Sequence, residues 1–166
     1  MNVKELVSAV DKMIMRLGKN IFDKVLIENN VKIELFDESG KLKDSREIHN
    51  TTTTVGKYLI ADQLLAAPSY AKPGWMEVGT GVPTATLLGT YIAGSRTALS
   101  AKTRTDNVVT MVCTFAAGVG TGAITEAGIF NIVTENTETM LVSATFGVIT
   151  KAATDSLTIT WTLTID

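Results

Sequence analysis

Groups that move protons, attack carbonyls or hold metals are scarce in this sequence of 166 residues. His49 is its only histidine and Cys113 its only cysteine. From Val108 to Asp166, apart from that thiol, only Glu126, Glu135, Glu138, Lys151, Asp155 and Asp166 can ionise. No nucleophile, base and orienting group stand together in a catalytic pattern. His49 has no matching Ser, Cys or Asp motif and reads as a polar strand-end residue. Cys113 shares the parity of Met111 and Phe115, which makes it a core thiol, and a lone cysteine excludes an internal disulfide framework and a multi-cysteine zinc site. The run Asp37-Glu38-Ser39-Gly40 lacks the ligand spacing of a calcium loop and reads as a hairpin turn. Gly79-Thr80-Gly81 resembles a phosphate cradle only in its glycines, because no Lys-Ser/Thr pair follows. The expectation there is a turn that needs glycine dihedrals. No cofactor and no metal ion is expected.

The elements that position these residues are mostly strands. The C-terminal run Leu157-Thr158-Ile159-Thr160-Trp161-Thr162-Leu163-Thr164-Ile165 alternates apolar residues with threonine, which sets every apolar side chain on one face of a sheet. Strands are predicted over 95–104, 108–116, 123–132, 139–150 and 157–165, with turns at Asp106-Asn107, at 118–122, at Glu135-Asn136 and at Thr154-Asp155. Earlier strands are predicted over 24–28 and 31–37, separated by a tight turn at Asn29-Asn30, then over 41–49 and 75–78. Short turns between consecutive strands give antiparallel meanders or Greek keys. The fold class is therefore mainly β, an antiparallel β-sandwich or jelly-roll-like domain.

Two segments have a helical period. Val3, Val7, Val10, Ile14, Leu17 and Ile21 are spaced four, three, four, three and four apart, and Leu6 and Met13 widen the stripe. The domain reading is an amphipathic N-terminal helix over 1–22, for docking or oligomerisation, followed by a single β-rich domain over 23–166. So short a helix is marginal alone and must pack either on its own domain or around an oligomer axis. Val7, Val10, Ile14 and Leu17 are the expected assembly contacts. A second helix is predicted near 55–66, capped by Thr54 and stopped by Pro68.

Composition narrows the partners. A formal net charge of −2, with lysines and arginines scattered among acids, argues against nucleic-acid binding. No apolar run reaches membrane-spanning length, and Lys4, Glu5, Asp11 and Lys12 stand where a signal peptide would need apolar residues, so no membrane partner is expected.

Two stretches carry a family likeness. The first runs from Asn50-Thr51-Thr52-Thr53-Thr54-Val55-Gly56-Lys57 to Val78-Gly79-Thr80-Gly81, and the second is Ile124-Thr125-Glu126-Ala127-Gly128-Ile129-Phe130-Asn131 with the threonine-rich strands after it. In that order, with Ser95-Arg96 between them, they resemble a group of tailed-bacteriophage virion proteins, over residues 50–166. The resemblance implies a head-decoration, neck, tail-fibre or baseplate component, usually oligomeric. The expected function is a non-enzymatic virion structural protein, most specifically a capsid decoration (cement) protein. It would be made in the host cytoplasm and work in the virion. The expected partners are further copies of itself, with a trimer favoured, and other virion proteins such as the major capsid protein. The alternatives are a tail, collar or baseplate component, or a glycan-binding module using Tyr70 and Trp75 as stacking platforms. Arg96 and Glu126, a cation and an acid in otherwise apolar surroundings, are expected to form a partly buried ion pair.

Overall fold

A computed structural model of the chain describes residues 26–136 and 140–166. The expected helix over 1–22, with Val7, Val10, Ile14 and Leu17, lies outside the described residues. In chain order the elements are β1 (Ile27–Phe36), β2 (Leu42–His49), β3 (Thr51–Thr52), α1 (Thr54–Asp62), β4 (Trp75–Gly79), β5 (Thr97–Ala98), β6 (Ala101–Thr105), β7 (Val108–Phe115), β8 (Gly122–Phe130), β9 (Met140–Lys151) and β10 (Ser156–Ile165). They form two antiparallel sheets, ordered β2-β1-β10-β7-β6 and β3-β9-β8-β4-β5. The sheets pack face to face as a β-sandwich around one apolar core.

The alternation predicted for the C-terminal strand holds. Leu157, Ile159, Trp161 and Leu163 of β10 are buried, and so are Val31, Ile33 and Leu35 of β1 and Met111, Cys113 and Phe115 of β7 beside them. A one-residue slip would turn this whole set to solvent, at about 1.5–3 kcal/mol for each large side chain, so the register is strongly fixed. From the other sheet, Met76, Val78, Ile124, Ala127, Ile129, Val142, Ala144, Phe146 and Ile149 close the same core.

Two strand boundaries differ from the sequence reading. No turn breaks the chain at Asn29-Asn30, because β1 runs straight through and pairs residue by residue with β10. Asn29 is buried, and its Nδ2 donates to Thr52 Oγ1 at 3.0 Å. A turn-forming residue thus serves as a cross-strand tie. The strand predicted over 95–104 is instead two: β5 joins β4 in one sheet, and β6 joins β7 in the other. The chain changes sheets at Leu99-Ser100, where the Leu99 amide donates to Gly74 O and the Ser100 amide to Val112 O.

The internal helix α1 is shorter than predicted, ending at Asp62. Its N-cap is Thr53, one residue before the expected Thr54. The Thr53 hydroxyl oxygen accepts from the Gly56 amide at 2.8 Å while the Thr53 amide donates to Leu141 O, so the cap is welded to β9. Beyond its last turn the Asp62 carboxylate accepts from the Tyr70 amide at 2.8 Å and from the Ser69 hydroxyl at 2.7 Å. Gly56 permits the docking of this helix, since a Cβ there would lie 1.9 Å from the carbonyl oxygen of Leu141. Gly56→Ala is expected to push α1 off β9 and to cost about 3 kcal/mol in urea unfolding, although alanine is the better helix former.

Candidate functional site

Three pieces of the family likeness, Val78-Gly79-Thr80-Gly81, Ser95-Arg96 and Ile124–Asn131, converge on one place, the outer face of the second sheet. Strands β4 and β8 lie side by side, pairing Trp75 with Phe130, Glu77 with Gly128 and Gly79 with Glu126. Paired residues share a face, so these six look away from the core while Met76, Val78, Ala127 and Ile129 look into it. Ile124 also faces the core, which an unbroken strand would forbid for a residue two before Glu126. The register shift between Ile124 and Glu126 resolves this: Ile124 pairs with Ile149 and Glu126 with Thr145, so β9 carries two extra residues in a bulge opposite Thr125.

Loop 80–96 folds back over this outer face and buries it. Glu126 is fully buried, and its carboxylate accepts from three main-chain amides: Gly81 N to Oε1 at 2.8 Å, Thr90 N to Oε1 at 2.9 Å and Gly89 N to Oε2 at 2.9 Å. Charge-assisted bonds from amides are among the stronger hydrogen bonds in proteins and stand in for the lost hydration of the carboxylate. The stretch from Gly81 to Thr90 is thereby clipped at both ends to one side chain.

The glycines of Val78-Gly79-Thr80-Gly81 are explained by this carboxylate. Neither Gly79 nor Gly81 adopts the left-handed conformation that the sequence reading expected. A Cβ at Gly79 would lie 2.5 Å from Glu126 Oε1 and 2.5 Å from Thr90 O, and one at Gly81 would lie 2.7 Å from the Thr90 amide nitrogen. Close approach of backbone to carboxylate excludes a side chain here. The phosphate-cradle likeness has a parallel physical basis, for the amides are turned toward an anion that the protein itself supplies.

Arg96 lies beside this cradle but does not pair with Glu126. Its Nη2 donates to Glu77 Oε2 at 2.9 Å, its Nη1 donates to Ile132 O at 2.7 Å, and its guanidinium carbon lies 3.6 Å from the centre of the Phe130 ring. The expected Arg96–Glu126 pair is corrected on two grounds: Glu126 is taken up by the loop amides, and Glu77 is the acid that reaches the guanidinium. Both side chains of the Arg96–Glu77 pair are only 2% exposed. Burial pushes the Glu77 carboxyl above its ordinary range, an effect that Arg96 offsets in part. The Arg96 amide adds a bond to Glu135 Oε1 at 3.2 Å. Glu77 was the residue the sequence reading missed. An acid inside the apolar run Trp75-Met76-Glu77-Val78 was the available signal.

The remaining predicted residues are dispersed. Cys113 is fully buried, and burial pushes its thiol up to about 12, the environment of an inert core cysteine. His49 is exposed at the end of β2, on a depression of about 470 Å³ of mixed lining that includes Lys32, Glu47, Ile48, Thr160 and Thr162. Trp75 packs on Leu88, Phe130 and Met140, a structural role for its ring, while Tyr70 is 37% exposed in the loop after α1. The Asp37 turn closes on itself: Oδ1 accepts from the Ser39 hydroxyl and from the amides of Ser39 and Lys41, with Gly40 at φ +81°. Among the described residues, no group of three or more His, Cys, Asp or Glu is placed to share a metal ion, and no helix is long and apolar enough to cross a membrane.

Salt bridges at the rim tie the edge strand β2 to the opposite sheet. Arg46 donates to the carbonyls of Gly147 and Val148 in β9 and is oriented by Asp44, and Lys43 Nζ reaches Asp155 at 2.7 Å in the β9–β10 turn. Asp155, held first by Lys43, and Asp44, held by Arg46, sit below the usual carboxylate range. Asp37 and Asp62 do so as well, through bonds from Ser39 and Tyr70 respectively. A carboxylate whose pKa is depressed in the fold stabilises it above the unfolded value, near 3.8, and that contribution disappears as pH falls through the folded value. The melting temperature is therefore expected to drop steeply below about pH 3.8, and Asp155→Asn should flatten the slope in a pH series of thermal melts. Glu77 acts with the opposite sign, since its raised pKa favours the fold most at low pH.

No protein-family model, no curated protein and no solved structure matches the chain.

Proposed function

We propose that this chain is a non-enzymatic structural protein of a tailed-bacteriophage virion, a capsid decoration protein that stabilises the head lattice as a homo-oligomer. The observation that carries the reading is the use made of the segments that resemble the phage group. Val78-Gly79-Thr80-Gly81, Ser95-Arg96 and Ile124–Asn131 are far apart in sequence, yet all build one buried clamp that fixes loop 80–96 to the second sheet. Their polar groups are spent on holding the fold rather than presented to a substrate. A rigid sandwich of this kind suits a protein that works by burying surface against neighbours, where many modest contacts add through multivalency.

Exposed apolar residues supply surface for such contacts. Tyr58, Leu64 and Leu65 on and after α1 are each at least 60% exposed, and Val82 in the clamped loop is 73% exposed. A tail, collar or baseplate role would use the same surfaces and is the alternative reading. The glycan-binding alternative loses support from the packing of Trp75 against Leu88, Phe130 and Met140. The proposal is tested by quantifying this chain in density-purified particles. Decoration requires it at a fixed, high copy number per head, whereas presence in the infected-cell lysate but not in particles would end the virion reading.

A further inference from the structure

Among the described residues, the core of the sandwich is open at one end. There the second sheet is short, and α1 takes its place opposite the first sheet. Between them lies an apolar cleft of about 310 Å³, with Ile27, Val109, Met111 and Leu163 on the strand side and Leu59 and Ile60 on the helix side. At its mouth Leu64 is 85% exposed and Ile165 40% exposed. Leaving such surface wet costs about 25 cal/mol for each Å², so the cleft favours an apolar plug.

The position of β1 points to the occupant. Ile27 is both a wall of the cleft and the first residue of β1, and the paired bonds between Leu26 and Asp166, 2.9 Å each way, hold the incoming chain at the mouth. The amphipathic stripe ends at Ile21, six residues before Ile27. Six residues span at most about 20 Å, so Ile21 stays within reach of the cleft. A tether that short gives an effective concentration on the order of millimolar, well above that of a second copy in dilute solution.

We propose that the N-terminal segment of the same chain closes this end of the core, seating Leu17 and Ile21 in the cleft between α1 and the first sheet. A helix spanning the whole stripe would be about 28 Å long. The cleft holds the side chains of its last turns only, which leaves Val7 and Val10 for contacts elsewhere. This inference stands apart from the virion reading and holds or fails without it.

Cysteine pairs in the full-length chain test it. Leu17→Cys and Ile21→Cys are each combined with Gln63→Cys or Ile165→Cys and oxidised mildly at low protein concentration. The buried Cys113, with its thiol pushed up to about 12, stays out of the exchange. The expected product is an intramolecular disulfide in at least one pair, seen as a faster-migrating monomer on a non-reducing gel. Ile21→Cys with Val148→Cys, a partner exposed on β9, should give none. Cross-linked dimers or trimers in place of the monomer would assign the cleft to a second copy and overturn the proposal. Failure of all four pairs, or equal cross-linking to Val148→Cys, would overturn it as well. Independently, Leu17→Asp with Ile21→Asp should raise binding of an apolar dye several-fold, and an unchanged dye signal would contradict an occupied cleft.

Discussion

Replacing Arg96 with methionine is expected to lower the stability of the folded protein by about 3–5 kcal/mol, as read from urea unfolding at neutral pH. The figure comes from the buried partner left behind. Glu77 is 1% exposed, and Arg96 is the cation that meets its carboxylate. Without the guanidinium, Glu77 must either keep an uncompensated charge out of water or take up a proton to fold. Its pKa is already raised by burial and would rise further once Arg96 no longer opposes the shift. A carboxyl with a raised folded pKa favours the fold at low pH and loses that contribution as pH rises through the folded value. The deficit of Arg96→Met should accordingly be smallest in mild acid and grow toward neutrality. The double variant Arg96→Met with Glu77→Leu should recover most of the loss, because an apolar pair of similar volume removes the stranded charge. A double variant as unstable as the single one would mean that packing of the guanidinium on Phe130, at 3.6 Å, carries the stability instead.

The second large effect is expected at Glu126. Glu126→Leu keeps the bulk but leaves the amides of Gly81, Gly89 and Thr90 without their acceptor. An unmet buried donor costs about 1–3 kcal/mol, but these amides belong to a loop that can open to water. The global loss should therefore be on the order of 2–4 kcal/mol, less than the sum over three bonds. Loss of local order should be greater. Hydrogen exchange at Gly81, Gly89 and Thr90 should speed up by at least about a hundredfold, matching about 2.7 kcal/mol of lost protection. Glu126→Gln keeps one acceptor oxygen but sets an amide NH2 against a backbone donor, so it should fall between the wild type and Glu126→Leu. If Glu126→Gln shifts the Arg96 environment more than it shifts loop exchange, the division of partners between Glu77 and Glu126 is wrong.

These two acids show where sequence reading reached its limit. Both are carboxylates inside apolar strands, and the sequence marks each as unusual. What it does not mark is the partner. The β9 bulge opposite Thr125 sets which face Glu126 takes, and the pairing of β4 with β8 sets Glu77 two positions away along the same face. Neither is encoded in local spacing, so Arg96 was matched to the acid of the more recognisable segment. The glycines of Val78-Gly79-Thr80-Gly81 were misread for a related reason. Local propensity ties glycine to left-handed turns, whereas here its value is the absence of a Cβ next to Glu126.

Strands with one buried face were the legible part. The β10 pattern is self-sufficient, because a period of two over nine residues admits one orientation toward the core. By contrast, Asn29-Asn30 carries the turn chemistry of a hairpin and is nevertheless strand interior. The bond from Asn29 to Thr52, 23 residues away, decides it, and local sequence carries no trace of that contact. Likewise the split of residues 95–104 into β5 and β6 depends on which sheet each half can join.

The claim that these parts serve a head-decoration protein is tested most directly by imaging particles assembled without this chain. The account predicts heads that lack an outer layer of density and burst at a lower temperature than complete particles, with tails intact. Heads of unchanged density and heat resistance, with tails missing or adsorption lost, would contradict it.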